Sequence, residues 1–439
     1  MKQYMLILLS LLICVPFGIQ AQEKPTQWTL KGCLDYALEH NIQVKKSKIA
    51  LEETKVDTKT AKAQLFPSLT ASVTQGLVNY PSNEVATHTS YSGNYTLNAN
   101  LKLFDGGKRT TAIKQQKLQT QMQELGIEQS EDDIEIAITQ TYLQVLYAYE
   151  AVRINENTVE VSTAQRDRSA ELLRAGSISR TDMAQMESQL STDKYQLVVA
   201  QTNLENYKLQ LKQLLELNIN EEIFLQIPQL SSEDVLSPLP DKQTVYQTSL
   251  SVMPQIKSSR MNISVAELEK KKAKAGYLPS LSLNAGLGTG HLSGTDYSFG
   301  SQMWNKFNQS IGVTLSIPIF SNRENKSAVE KAQLAYESSQ LDFLNAEKEL
   351  LKTVEGVYLD AISSQNQYTS AIERLKSVEE SYKLTEEQFY LGMKNTLELL
   401  TEKTNLLTAQ QEVLQSKYMS ILSIQLLNFY QKKPIDINY

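Results

Sequence analysis

Between Tyr91 and Leu173 the chain changes period once. Tyr91, Tyr95, Leu97, Ala99, Leu101 and Leu103 fall on one parity, while Ser92, Asn94, Thr96, Asn98, Asn100 and Lys102 fall on the other. That is the period-2 pattern of a strand with one apolar and one polar face. Past Phe104-Asp105-Gly106-Gly107 apolar residues recur at helical spacing, and no proline interrupts them before Leu173. The spacing predicts a helix of about 68 residues, a rod of roughly 100 Å at 1.5 Å per residue. Helices in globular domains average about 11–12 residues. A strand long enough to cross a bilayer that feeds so long a rod is foreign to an ordinary globular core.

Length alone, 439 residues, suggests two or three domains. The proline map argues otherwise. After Pro81 the next proline is Pro228, and after Pro318 the next is Pro434. Both spans are rich in Glu, Gln, Lys, Leu and Ala and read as long helices. The formal net charge is −6 with acids and bases interspersed; no basic stripe offers itself to nucleic acid. His40, His88 and His291 stand apart, without metal or triad spacing, and no glycine-rich phosphate loop is present. The chain therefore reads as neither an enzyme nor a metalloprotein, and no cofactor is expected.

Met1–Ala21 reads as a secretory signal: Lys2 is the positive start, Met5–Val15 the apolar core, and Ala21 the small residue before a cleavage point at Gln22. Ile13 is too large to precede a lipidated Cys14. Removing the signal leaves Cys33 alone, so no intramolecular disulfide can form, and Cys33 reads as a small buried hydrophobe. No later stretch has the roughly 18 continuous apolar residues of a membrane helix. If the chain crosses a bilayer, it does so with strands.

The strongest organisational signal is an internal duplication. Ala63-Gln-Leu-Phe-Pro-Ser-Leu69 returns as Ala275-Gly-Tyr-Leu-Pro-Ser-Leu281, Leu103-Phe-Asp105 as Ile319-Phe-Ser321, and Leu173-Arg-Ala-Gly176 as Tyr390-Leu-Gly392. The division expected is a signal at 1–21, a first helix-strand-strand-helix-helix repeat at 22–217, a linker at 218–241, a second repeat at 242–431 and a tail at 432–439. Each repeat opens with a helix, about Leu30–Gln64 (with a possible break near Asn41) and about Thr244–Ala275, stopped by Pro67 or Pro279. Two strands follow. In the second repeat Leu281–Gly288 alternates, a Gly/Ser-rich loop spans Thr289–Lys306, and Phe307–Ile319 alternates again. Next come the long helices, about Gly107–Leu173 and Asn322–Leu391, and their returns, about Thr181–Leu217 and Thr396–Phe429. Asn218–Asp241, with three prolines, could carry a short strand or a short helix.

The long helices carry a second period. Leu350, Val354, Val357, Ala361, Ser364, Tyr368, Ala371, Leu375, Val378 and Tyr382 are spaced alternately four and three apart. Their first-repeat counterparts, Ile134 to Ser162, are mostly apolar or small. Met183, Leu190, Leu197, Leu204 and Leu211 recur every seven residues. This is the heptad seam of helices packed side by side, narrow enough for a one-layer wall with water on at least one side.

Four membrane strands cannot close on themselves, and open sheet edges are not tolerated in hydrocarbon, where unpaired N–H and C=O groups have no partner. Membranous strands therefore require an oligomer. Two copies give eight strands, whose interior side chains largely fill; three or more leave a channel. The Ser, Thr, Asn and Gly on the polar parity suit a wet lumen. Phe66, Phe104, Tyr277 and Phe320 flank the strands on the helix side. Tyr80, Tyr91, Tyr297, Phe299, Trp304 and Phe307 lie towards the loops, so both aromatic girdles of a membrane barrel can be supplied.

In their order and duplication, the Pro-Ser-Leu strand starts, the Leu-Phe-Asp-Gly-Gly junction and the glycine-broken helix pairs resemble the TolC-type outer membrane efflux channels, over about Trp28–Gln431. The resemblance implies a mixed fold: a homotrimer whose transmembrane β-barrel, four strands per protomer, lies in outer membrane lipid and continues into a long periplasmic α-helical barrel. It implies an equatorial belt from Asn218–Asp241 and the chain ends. It also implies a passive exit duct for small molecules, docked to a periplasmic adaptor protein and an inner-membrane pump. Leu173, Arg174, Ala175, Gly176 and Ser177, with Tyr390, Leu391, Gly392 and Met393, would be the periplasmic tips that touch the adaptor. Glu398 matches one of the family's entrance carboxylates; the second falls on Thr401, with Glu402 adjacent, and Asp182 is the first-repeat counterpart of Glu398. The same residues also read as helix capping boxes, Ser179-x-x-Asp182 and Asn395-x-x-Glu398. Two alternatives stay open: an exit duct for type I protein secretion, and a non-transport coiled-coil surface protein.

Overall fold

The computed structural model describes residues 27–79, 81, 89–218, 220–228, 230–435 and 437. The signal at 1–21 with Cys14, and Tyr80, Ser82, Asn83 and His88, lie outside these residues.

The first repeat opens with α1 (Leu30–His40) and α2 (Ile42–Ala63). They are separated at Asn41, whose ψ of 132° leaves the helical region and whose side chain caps α2 by accepting from the amides of Gln43 and Val44. Strands β1 (Ser68–Asn79) and β2 (Thr89–Phe104) follow, then the rods α3 (Lys108–Arg174) and α4 (Arg180–Leu214). A short α5 (Ser232–Val235) precedes the second repeat: α6 (Lys242–Val252), α7 (Pro254–Lys274), β3 (Ser280–Leu292), α8 (Phe299–Asn305), β4 (Asn308–Ser316), α9 (Glu324–Tyr390) and α10 (Thr396–Phe429).

Three sequence expectations are corrected. The helix expected over Thr244–Ala275 is two helices, because Met253 is extended (ψ 128°) and Pro254 occupies the first position of α7, where its missing N–H costs nothing. The last strand ends at Ser316 rather than Ile319, since Pro318 has no donor for the ladder. The loop expected over Thr289–Lys306 is shorter: Thr289–Leu292 extend β3, and Phe299–Asn305 form α8. The segment left open at 218–241 carries a short helix, α5, and a single parallel bridge between Leu225 and Trp28 rather than a strand.

The four strands form one antiparallel sheet in the order β1-β2-β3-β4. The helices that continue them stand in the same order, α2 on α3, α3 on α7 and α7 on α9. Every strand thus runs into its own helix, and sheet and helical wall are one continuous layer. At the far end α3 pairs with α4, and α9 with α10. Of the seam residues, Ile134, Ile138, Val145, Leu350, Val354 and Ala361 are buried, as are Leu190, Leu204 and Leu211 on α4.

The main core sits around the middle of the rods. There Trp28, Leu30 and Cys33 meet Ile138 and Tyr142 of α3, Leu211 of α4, Val245 of α6 and Leu427 of α10. The Tyr142 hydroxyl donates to the carbonyl of Gln226 at 2.8 Å, fastening the linker to α3. Burial pushes the Cys33 thiol up to about 12, in keeping with its reading as a small hydrophobe. A smaller cluster of Met186, Phe389 and Leu399 ties the two hairpins together near their ends. Among the described residues no helix is long and apolar enough to cross a membrane.

Candidate functional site

The register of the sheet sorts its two faces. Thr70↔Asn98, Ser72↔Thr96 and Thr74↔Asn94 pair across β1 and β2. Asn98↔Gly286 and Asn100↔Asn284 continue the row into β3, and Gly286↔Ser310 carries it to β4. On the other face Leu69, Ala99, Ala285 and Ile311 make one row, and Leu101, Leu283 and Val313 another. Leu69, Val73, Leu77, Ile311, Val313 and Leu315 are all exposed, an apolar face far larger than isolated surface residues would make. β4 is exposed along its whole length and β1 at all but one position, so both edge strands lack a covering layer.

At the helix end of the sheet the register shifts between Lys102 and Phe104. This bulge moves Phe104 opposite Leu281 and so onto the apolar row. Phe66, Tyr277 and Phe320 are likewise exposed at this end. At the loop end Tyr91, Tyr297, Phe299 and Trp304 are exposed, and Trp304 stacks on Phe307 at 6.4 Å. His291 lies beside Tyr91, Tyr95 and Phe299 and covers Gly93, where an added Cβ would meet its ring at 2.2 Å.

The hairpin ends repeat each other. Gly176 (φ 72°) and Gly392 (φ 75°) are left-handed. The amide of Ser177 reaches the carbonyl of Leu172, and that of Met393 the carbonyl of Gln388, both at 2.9 Å, which closes each helix as a Schellman motif. Leu391 and Met393 are exposed, and so are Arg174, Ala175 and Ser177. Leu173 is half-buried, and half-buried Tyr390 packs against the Met186 cluster with Arg168 over its ring.

Both capping boxes are formed, Ser179 with Asp182 and Asn395 with Glu398. The Ser179 side chain and backbone, and then the Thr396 hydroxyl, hold the Asp182 carboxyl below the usual range. The Lys394 ammonium and the Asn395 amide do the same for Glu398, whose Oε1 lies 2.5 Å from Lys394 Nζ. Glu402 accepts from the Ser381 hydroxyl at 3.1 Å and, among the described residues, has no cation within ion-pair distance.

One cluster escaped the sequence reading. Lys403 of α10, Asp193 of α4 and Ser162 of α3 are buried together, with Lys403 hydrogen-bonded to both partners. Nearby, Gln165 of α3 donates to the Tyr382 hydroxyl and to Glu386 of α9 at 2.6 and 2.8 Å. A signal was present: Asp193 sits between Leu190 and Leu197 at heptad spacing, and Lys403 four residues after Leu399, so opposite charges stand on two seams.

The profile of the outer membrane efflux protein family matches residues 33–216 and 245–424. Outer membrane protein TolC of Escherichia coli (strain K12) is 22% identical over 339 residues, which cover 73% of this chain and 65% of that protein. Alkaline protease secretion protein AprF of Pseudomonas aeruginosa is 24% identical over 297 residues, 66% of this chain and 60% of that protein. The match thus spans slightly under two thirds of the length of these two relatives. Outer membrane efflux protein BepC of Brucella suis biovar 1 is 22% identical over 415 residues, 91% of this chain and 84% of that protein. Among solved structures, the outer membrane protein VceC from Vibrio cholerae superposes with a TM-score of 0.75 at 16% identity, covering 93% of this chain and 97% of that one. CusC superposes with a TM-score of 0.78 at 17% identity, covering 91% of each chain.

Proposed function

Because this chain belongs to the outer membrane efflux protein family, we propose that three copies close into one outer membrane channel with a periplasmic extension, the passive exit duct of a tripartite efflux pump. The observation that carries this reading is the sheet: open edges at β1 and β4, an exposed apolar face, and an opposite face of hydroxyls, amides and glycines. Such a sheet is stable in lipid only when its edges pair with other copies, and its polar face then lines water.

The same reading extends to the rest of the chain. The repeats span 22–217 and 242–431, with 218–241 as an equatorial segment and 432–439 as a tail. The tips around Gly176 and Gly392 meet a periplasmic adaptor, which hands over small molecules from an inner-membrane pump. Glu398, Glu402 and Asp182 surround the entrance and favour cations there, as rings of carboxylates do. Phe66, Phe104, Tyr277 and Phe320 at one end of the sheet, and Tyr91 and Trp304 at the other, mark the two membrane surfaces. The duct has no enzymatic activity of its own, and the pump rather than the duct selects cargo.

The relative AprF, named for alkaline protease secretion, favours a second reading in which the cargo is a protein. Deleting the gene separates the two. The efflux reading expects greater sensitivity to small toxic compounds with an unchanged set of exported proteins, restored by the intact gene. The secretion reading expects the reverse. A deletion strain altered in neither respect overturns both.

A further inference from the structure

The polar face of the sheet is almost free of charge. β1, β3 and β4 contain no Lys, Arg, Asp or Glu, and β2 contains one, Lys102. Lys102 stands opposite Ser282, which stands opposite Thr314. The adjoining row is Asn100, Asn284 and Gly312, and Asn284 takes a hydrogen bond from Asn100 and gives one to Thr314. The ammonium of Lys102 is therefore a lone exposed charge among amides and hydroxyls, at the end where the sheet passes into helices.

At that junction the four helices that continue the strands leave a cavity of about 710 Å³, and Lys102 lines it. Of the other cations on its wall, Arg109 is held by Asp105 at 2.8 Å and Lys272 by Glu269 at 2.5 Å. Lys108 and Lys331 also line it. Among the described residues, neither they nor Lys102 has a carboxylate within 4 Å. Among the described residues, Glu324 is the one lining carboxylate left without a cation. The balance of unpaired charge on this wall is positive.

We propose that Lys102, backed by Lys108 and Lys331, forms a cationic collar in the lumen where barrel meets helical wall, and that anionic solutes bearing phosphate or carboxylate groups dwell there on their way out. This rests on the channel reading above, which places the polar face around water and brings three copies of Lys102 to one opening. Rings of Lys or Arg select anions in this way, and a wall whose unpaired charges are mostly positive focuses their field into the pore.

The test uses the full chain purified in detergent and inserted into planar bilayers under a KCl gradient. Low salt is chosen because the Debye length is about 30 Å at 0.01 M, and inorganic pyrophosphate is the blocking probe. Lys102→Gln is expected to lower the chloride-to-potassium permeability ratio by about twofold or more and to weaken pyrophosphate block severalfold; Lys102→Glu goes further, and Lys102→Arg behaves as the wild type. The double variant Lys108→Gln with Lys331→Gln, which leaves the strands untouched, shifts both readouts in the same direction. Conducting Lys102→Gln channels with wild-type permeability ratio and block overturn the collar alone. A wild-type protein that forms no channel overturns the channel reading and the collar with it.

Discussion

Lys403 Nζ lies 2.7 Å from Asp193 Oδ2, with 7% and 3% of the two side chains exposed. The pair joins α10 of the second repeat to α4 of the first, and Ser162 of α3 bonds to both. The other carboxylate oxygen takes a hydrogen bond from Gln189 at 2.9 Å. Each charge occupies a seam position where an apolar residue would pack. A desolvated ion pair contributes little net stability, but breaking it by removing one partner is costly.

Removing one partner strands the other. Lys403→Met should lower unfolding free energy by about 3–5 kcal/mol, and adding Asp193→Leu should recover most of that loss. Denaturant unfolding of the detergent-solubilised protein measures both. A double variant no more stable than the single one contradicts the account.

The two strand-to-helix junctions share a backbone but not a sequence. Gly106 and Gly107 have φ of 69° and 83°, and their second-repeat counterparts Asn322 and Arg323 have 43° and 67°. A non-glycine residue held there costs about 1–3 kcal/mol, least for Asn. Arg323→Gly should therefore stabilise by about 1 kcal/mol, even after losing an exposed ion pair with Glu330 that contributes at most about 1 kcal/mol. Gly106→Ala should destabilise, since its Cβ would lie 2.9 Å from the Ala275 carbonyl and from Leu278 Cβ. The same unfolding measurement checks both signs.

The hairpin tips should loosen in acid. Folding depresses the Asp182 and Glu398 carboxyls. The stability they contribute is thus fully present above their unfolded values of about 4 and is lost as pH falls through the folded ones. Amide exchange at Ser179 and Asn395, whose N–H groups donate to the two carboxyls, corrected for intrinsic rate, should accelerate as pH falls below about 4 while the buried seam near Leu350 stays protected. Uniform protection across that range contradicts the capping role.

The two second-repeat carboxylates proposed for the entrance should not be equal. Lys394 already neutralises Glu398, whereas Glu402 has only hydroxyl and amide partners. Glu402→Ala should reduce single-channel cation selectivity more than Glu398→Ala, and the double variant should raise conductance. Unchanged conductance and selectivity in the double variant would remove these residues from the pore.

Much of the fold was legible because it repeats and because its periods are long. The alternation from Tyr91 to Leu103, the proline-free rods and the glycines at 176 and 392 each state one local rule, and β2, α3 and α9 obey them to within a few residues. What escaped depended on single residues acting against a continuing pattern. Met253 yields to Pro254, Pro318 ends β4 early, and the bulge after Lys102 turns Phe104 to the apolar face. The Asp193–Lys403 pair was hidden because composition and charge interspersion make a seam charge look like a solvated one; only pairing the seams of α4 and α10 brings the two together. Asn322 and Arg323 escaped because their left-handed backbone is dictated by the junction and not by their own preferences.

The proposed channel stands or falls on whether further copies close the open edges of β1 and β4 in lipid. Light scattering of the signal-processed protein in detergent measures it most directly. The account predicts a particle of three chains that falls out of solution when detergent is removed. A monodisperse single chain, stable in detergent-free buffer, would contradict it.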